Sequence, residues 1–168
     1  NAEKVVGNVL MMDMAVINDF MVGFIEGCRY ADPDVKVNTA YIGAVDAAKA
    51  KDMAMSMYQS GSDIVFQVAA SAGLGVIEAG KEQGRYVIGV DQDQAMVLME
   101  TDPDAANRIL TSVLKRVDVA VYRMIEMLQK GEVPWGSSEA LGMEEECVGI
   151  AKTDVYQQLV TDEVKAMV

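Results

Sequence analysis

The 168-residue chain contains no histidine. This removes the commonest general base at neutral pH and the commonest transition-metal ligand, so hydrolase triads built on histidine are excluded. The two cysteines, Cys28 and Cys147, lie far apart and match no metal or redox spacing. Cys28 falls on the apolar side of a helical pattern and reads as a small core residue. Positive charge is scarce: 14 basic residues stand against 26 acidic ones, a formal net charge of −12. Nucleic acid and anionic membrane surfaces both need clustered positive charge, and no Lys/Arg block is present, so no nucleic-acid partner is expected. No apolar run approaches the roughly 20 residues of a membrane span, and no charged-then-apolar leader stands at Asn1, so the chain as given reads as soluble. Hydrophobic residues, by contrast, make up 51% of the chain, and 13 of them are methionine. Without Cys or His beside them, these methionines are flexible core filler rather than soft-metal ligands. No metal or cofactor is expected.

The most informative segment runs from Gly61 to Gln94 and reads as strand, glycine turn, helix, strand. Ile64–Val68 is nearly continuous in apolar residues, as in a strand buried on both faces of a parallel sheet, and Tyr86–Val90 repeats this after one helix. Asp91 and Asp93 follow directly. The carboxyl edge of an open α/β sheet is where ligands bind, because loops and helix N-termini converge there. A small-molecule site at this edge is the first expectation.

The other units alternate in the same way. Val5–Leu10 is a short apolar strand, and 16–30 carries Ile17, Phe20, Met21, Phe24, Ile25 and Cys28 at helical spacing until Pro33. Val35–Tyr41 is a strand. Asp46 is the expected N-cap of a helix that buries Ala50, Met53, Ala54, Met57 and Tyr58 and stops at Gly61. A short strand over 108–111 then precedes what reads as the longest helix, 113–130, with an apolar stripe of Val113, Val117, Ala120, Val121, Met124 and Leu128. Cys147–Lys152 reads as a returning strand. These units predict an α/β fold with a predominantly parallel five- or six-stranded sheet and helices on both faces, joined by right-handed crossovers. Residues 1–112 form the ligand-binding lobe. Residues 113–168 form a crossover helix and a return segment, packed on the same lobe or on a partner chain.

Five short matches carry a resemblance to a known family: Phe24-Ile-Glu-Gly27, Tyr41-Ile-Gly43, Gly73-Leu-Gly75, Ile88-Gly-Val-Asp-Gln-Asp-Gln94 and Leu110-Thr-Ser-Val-Leu-Lys-Arg116. In this order they resemble the basic membrane protein family, nucleoside-binding lipoproteins of the type I periplasmic-binding fold that feed ABC importers. The resemblance implies one lobe of a two-lobed, non-enzymatic solute-binding protein. It also implies an extracytoplasmic location, a lipid anchor in the intact protein and a transporter permease as partner. Nothing in the chain resembles the family's first lobe. In the two-lobed fold the long helix crosses back to that lobe, so here it either folds onto its own lobe or is covered by a second chain, giving a homodimer.

By the same resemblance, Asp91 accepts hydrogen bonds from ribose hydroxyls and Lys115 donates to the same sugar. A carboxylate accepting from two adjacent hydroxyls and an ammonium donating to their lone pairs make charge-assisted bonds. With the cleft empty, the two are expected to pair with each other. Val45, Ala70 and Gly73 complete the expected ligand-binding set. Val45 stands where the family usually has a phenylalanine that stacks on the purine, and it cannot stack. Ala70-Ser71-Ala72 replaces a usual Gly-Gly-Thr, adding a methyl group where backbone approaches the ligand. After the first strand, Leu10-Met11 and Ala15 replace the usual Gly-Gly and Pro.

Two other readings fit parts of the sequence. Gly73-x-Gly75 between a strand and a helix, followed by Asp91, resembles a dinucleotide-binding fingerprint of an oxidoreductase, but its third glycine is Glu78. Type I binding folds also serve as regulatory or interaction modules, although no DNA-binding element is visible here.

Overall fold

The structure is a computed structural model that describes residues 3–167. Six strands form one sheet: β1 (Val5–Leu10), β2 (Lys36–Tyr41), β3 (Ile64–Val68), β4 (Tyr86–Asp91), β5 (Ile109–Lys115) and β6 (Val148–Ile150). Their order across the sheet is β2-β1-β3-β4-β5-β6. The first five run parallel, and β6 returns antiparallel along β5 with Lys115 opposite Val148. The order reverses between β1 and β3, as in doubly wound sheets.

Helices connect these strands: α1 (Ala15–Ala31), α2 (Ala47–Gln59), α3 (Gly73–Gln83), the short α4 (Gln94–Leu98) and α5 (Pro103–Ala106), α6 (Val117–Lys130), α7 (Asp154–Leu159) and α8 (Asp162–Lys165). Their ends follow local chemistry. Asp46 caps α2 as expected, its carboxylate accepting from the Lys49 N–H at 3.0 Å. Gly84 ends α3 at φ +61° and Gly131 ends α6 at φ +73°, left-handed positions where a side chain would be strained.

The core forms on both sides of the sheet. Helices α2 and α3 cover one face, where Val9, Ile42, Ala50, Ala54, Val65, Val76, Ile77 and Val87 are buried. On the other face α1 packs Ile17 against Leu10, Phe66, Val68 and Val90, with Phe20 and Phe24 at the margin. The Phe24 and Phe66 rings meet at 5.1 Å between centroids, inclined by 47°. Gly75 sets the spacing between α2 and α3, because a Cβ there would lie 2.0 Å from the Ala47 carbonyl oxygen.

Several expectations need correction. β5 runs on to Lys115, so the following helix begins at Val117 rather than 113, and α1 rather than α6 is the longest helix. Val113 belongs to the strand and packs against the α1-side core. The competing pattern was the strand's own register: after an irregularity between Val87 and Ile88, β4 pairs with β5 as far as Asp91–Leu114. Met53 is only partly buried in α2. The stripe of α6 is largely uncovered: no residue of that helix is buried, Ala120 is partly covered, and Leu128 is 57% exposed.

Candidate functional site

Asp91 ends β4 and Lys115 ends the neighbouring β5. Parallel pairing brings both to the carboxyl edge of the sheet, where the Lys115 ammonium meets the Asp91 carboxylate at 2.8 Å. The pair expected from the sequence is therefore formed. Both side chains remain about half exposed, so neither charge has been given up to the interior, and the contact can be exchanged for other polar partners at modest cost. Asp91 has φ +69°, a conformation that Asp tolerates better than most residues and that turns the chain out of the strand. Asp93 instead caps α4, accepting from the Met96 N–H at 3.1 Å.

Two clefts meet at Asp91 and Gln92. One, of ≈ 500 Å³, extends over Ala70, Ser71, Leu74, Gln94 and Leu98. The other, of ≈ 600 Å³, extends over Leu114, Lys115, Arg116 and Asp118. The first offers aliphatic walls and the second charged ones. Among the described residues no helix is long and apolar enough to cross a membrane, and no group of three or more cysteine, aspartate or glutamate side chains is placed to hold a metal ion.

The remaining expected residues fall in different places. Ala70 lines the first cleft at φ +48°, where its methyl group is strained. Replacing it with glycine should remove that strain, raising stability by about 1 kcal/mol and the melting temperature by roughly 2–4 °C. A thermal melt of Ala70→Gly that moves downward would show that the methyl contributes packing instead. Gly73 is buried beneath the cleft, where an added Cβ would lie 2.0 Å from the Gln67 side-chain oxygen. Val45 is exposed between β2 and α2 and lines neither cleft. The dinucleotide reading loses its basis here: Gly73 and Gly75 accommodate Gln67 and Ala47, and Asp91 is paired with Lys115.

Beneath the clefts lies a polar network absent from the expected set. Gln67, fully buried in β3, donates from Nε2 to Gln94 Oε1 at 2.7 Å, and its own Oε1 accepts from the Ala69 N–H at 3.2 Å. Gln94 Oε1 also accepts from the Val90 N–H, while the Gln94 N–H donates to Ser112 Oγ, each at 3.2 Å. Its sequence signal was present: Gln67 is the one polar residue in Ile64–Val68. A buried amide needs partners, so such a residue points to a network.

The mostly parallel six-stranded sheet, covered by helices on both faces, defines the class, a periplasmic-binding type of fold. A solved solute-binding protein of an ABC transporter system from Aeropyrum pernix K1 superposes with a TM-score of 0.75 at 29% identity, over 99% of this chain and 45% of that one. An arabinose-binding protein from Geobacillus stearothermophilus shares the fold at a TM-score of 0.67 and 18% identity, over 95% of this chain and 58% of that one. The family model for PnrA-like ABC transporter substrate-binding proteins, Bmp, matches residues 2–167, and the chain belongs to that family. It is 37% identical to basic membrane protein D of Borreliella burgdorferi over 139 residues, covering 80% of this chain and 39% of that protein. It is 34% identical to the ABC transporter nucleoside-binding protein BmpA of Lactococcus lactis over 143 residues, covering 79% of this chain and 41% of that protein. The chain thus spans less than half the length of these relatives. The family is one of ABC transporter substrate-binding proteins, not of enzymes.

Proposed function

We propose that this chain supplies one lobe of the nucleoside-binding component of an ABC importer and recognises the ribose of its ligand through Asp91 and Lys115. The observation that carries the reading is the 2.8 Å pair, held half-exposed where two clefts meet at the ends of adjacent parallel strands. Opposite charges so placed complement a vicinal diol, whose hydroxyls each donate one hydrogen bond and accept another. The nucleoside-binding relative from Lactococcus supports the same ligand class. In the intact protein the partner is a transporter permease, the location is extracytoplasmic and a lipid holds the protein at the membrane.

Binding proteins of this kind close two lobes around the ligand. One lobe gives half of the contacts and leaves water in the cleft, so nucleoside affinity for this chain alone is expected in the millimolar range. A ligand that binds only the folded state raises the melting temperature with its concentration. Inosine at tens of millimolar is expected to raise the melting temperature of the chain, and Asp91→Ala to remove that response, each measured against the same variant's own ligand-free value. An equal response in Asp91→Ala would end the ribose assignment.

A further inference from the structure

The amide of Gln94 has one end fixed and one end free. Backbone N–H groups can only donate, so the Ala69 N–H identifies the Gln67 atom facing it as oxygen, and Gln67 must turn its Nε2 toward Gln94. The Val90 N–H likewise identifies the Gln94 atom it meets as oxygen. With both amides oriented by fixed donors, the Gln94 Oε1 is saturated and its NH2 group faces away from the network.

That NH2 group has no partner among the described residues. It is not enclosed either, since the buried side-chain atoms lacking partners belong to Asn8, Ser62 and Arg123. Gln94 lines the cleft on the aliphatic side of Asp91, together with Leu74 and Leu98. Gly89 leaves room for the arrangement, because a Cβ there would lie 2.5 Å from both Gln94 Oε1 and Ser112 Oγ.

We infer that Gln94 is a ligand-binding residue: its side-chain NH2 donates to a hydrogen-bond acceptor on the group attached to the ribose. The inference rests on the ribose reading of Asp91 and Lys115 and adds the residue that meets the rest of the ligand. A sugar held at Asp91 projects its substituent either between Lys115 and Asp118 or toward Leu74 and Leu98. The aliphatic side suits the face of a flat heterocycle, and the rigid Gln94 donor there selects a carbonyl oxygen or an unprotonated ring nitrogen on its edge. A ribosyl compound with an acceptor-bearing base fits both ends; a simple alkyl riboside fits only one. An oriented donor also discriminates more sharply than an aliphatic wall, because a ligand without the acceptor leaves it unpaired.

The test is a titration of the nitrogen-15-labelled chain with inosine and, separately, with methyl β-D-ribofuranoside, followed by NMR. The Gln94 side-chain signal is assigned by its disappearance in Gln94→Glu. In that variant one carboxylate oxygen still accepts from Gln67 and Val90, while the free NH2 becomes an acceptor, so the network is kept and the donor lost. Both probes are expected to move the Asp91 and Lys115 backbone signals, and only inosine the Gln94 side-chain signal. Gln94→Glu is expected to weaken inosine by about tenfold and the riboside by less than about twofold. If both probes move Asp91 while the Gln94 side chain stays still, the Gln94 assignment is overturned and the ribose reading stands. If neither probe moves Asp91 or Lys115, the ribose reading falls and this inference with it. The wild-type titration reads all these outcomes even if the variant folds poorly.

Discussion

Gly75→Ala is expected to destabilise the chain by about 3 kcal/mol, lowering the melting temperature by roughly 6–12 °C. The added methyl carbon would stand 2.0 Å from the Ala47 carbonyl oxygen, 2.9 Å from its carbon and 3.1 Å from the Lys51 nitrogen. All three are backbone atoms of α2, so no side chain can rotate away. The α2 and α3 helices must separate, and the layer containing Ala50, Ala54, Val76 and Ile77 must separate with them. Gly23→Ala in α1 is the matched control, because nothing lies within 4 Å of its added carbon. There the intrinsic preference of alanine for a helix should raise stability by up to about 1 kcal/mol. Equal effects at the two sites would show that α3 does not approach α2 as described.

Asn8→Leu is expected to act in the opposite direction. Asn8 lies in β1, is fully buried between Thr39 of β2 and Phe66 of β3, and neither its amide oxygen nor its nitrogen has a hydrogen-bond partner. Burying an amide without partners costs on the order of 1–3 kcal/mol, and leucine has nearly the same shape without that desolvation. The variant should therefore be more stable by about 2 kcal/mol, with a melting temperature higher by roughly 4–8 °C. A lower melting temperature would mean that water satisfies the amide inside the folded protein. The effect should add to that of Ala70→Gly, since the two residues lie on different elements and share no partner.

Most of the fold was legible in the sequence because its period changes cleanly. Ile64–Val68 and Tyr86–Val90 have the nearly continuous apolar character of strands covered on both faces, and 16–30 has helical spacing. Asp46 and Gly61 marked the two ends of α2, where capping and a left-handed backbone position are needed. The start of α6 was misplaced because Val113 satisfies a helical stripe as well as a strand alternation. Only pairing with β4, a contact distant in sequence, decides between them. At the site, Asp91 and Lys115 were readable from motifs. Gln94 closes one of those motifs, but the direction of its amide is set by Gln67, which no spacing rule encodes. The missing side chain of Gly73 makes room for Gln67 below the cleft, a contact distant from any local pattern.

Helix α6 has a consequence for motion as well as for surface. Its 14 residues are close to the length at which an isolated helix is only marginally stable in water, and no residue of it is buried. The strands β1, β3 and β4 open only with the whole domain, whereas α6 can lose its hydrogen bonds at almost no cost to the rest. Amide protons of Val121–Leu128 should therefore exchange with solvent deuterium orders of magnitude faster than those of Val65–Val68. Whatever covers the apolar stripe would slow that exchange, so α6 serves as a built-in reporter of occupancy on this face of the chain.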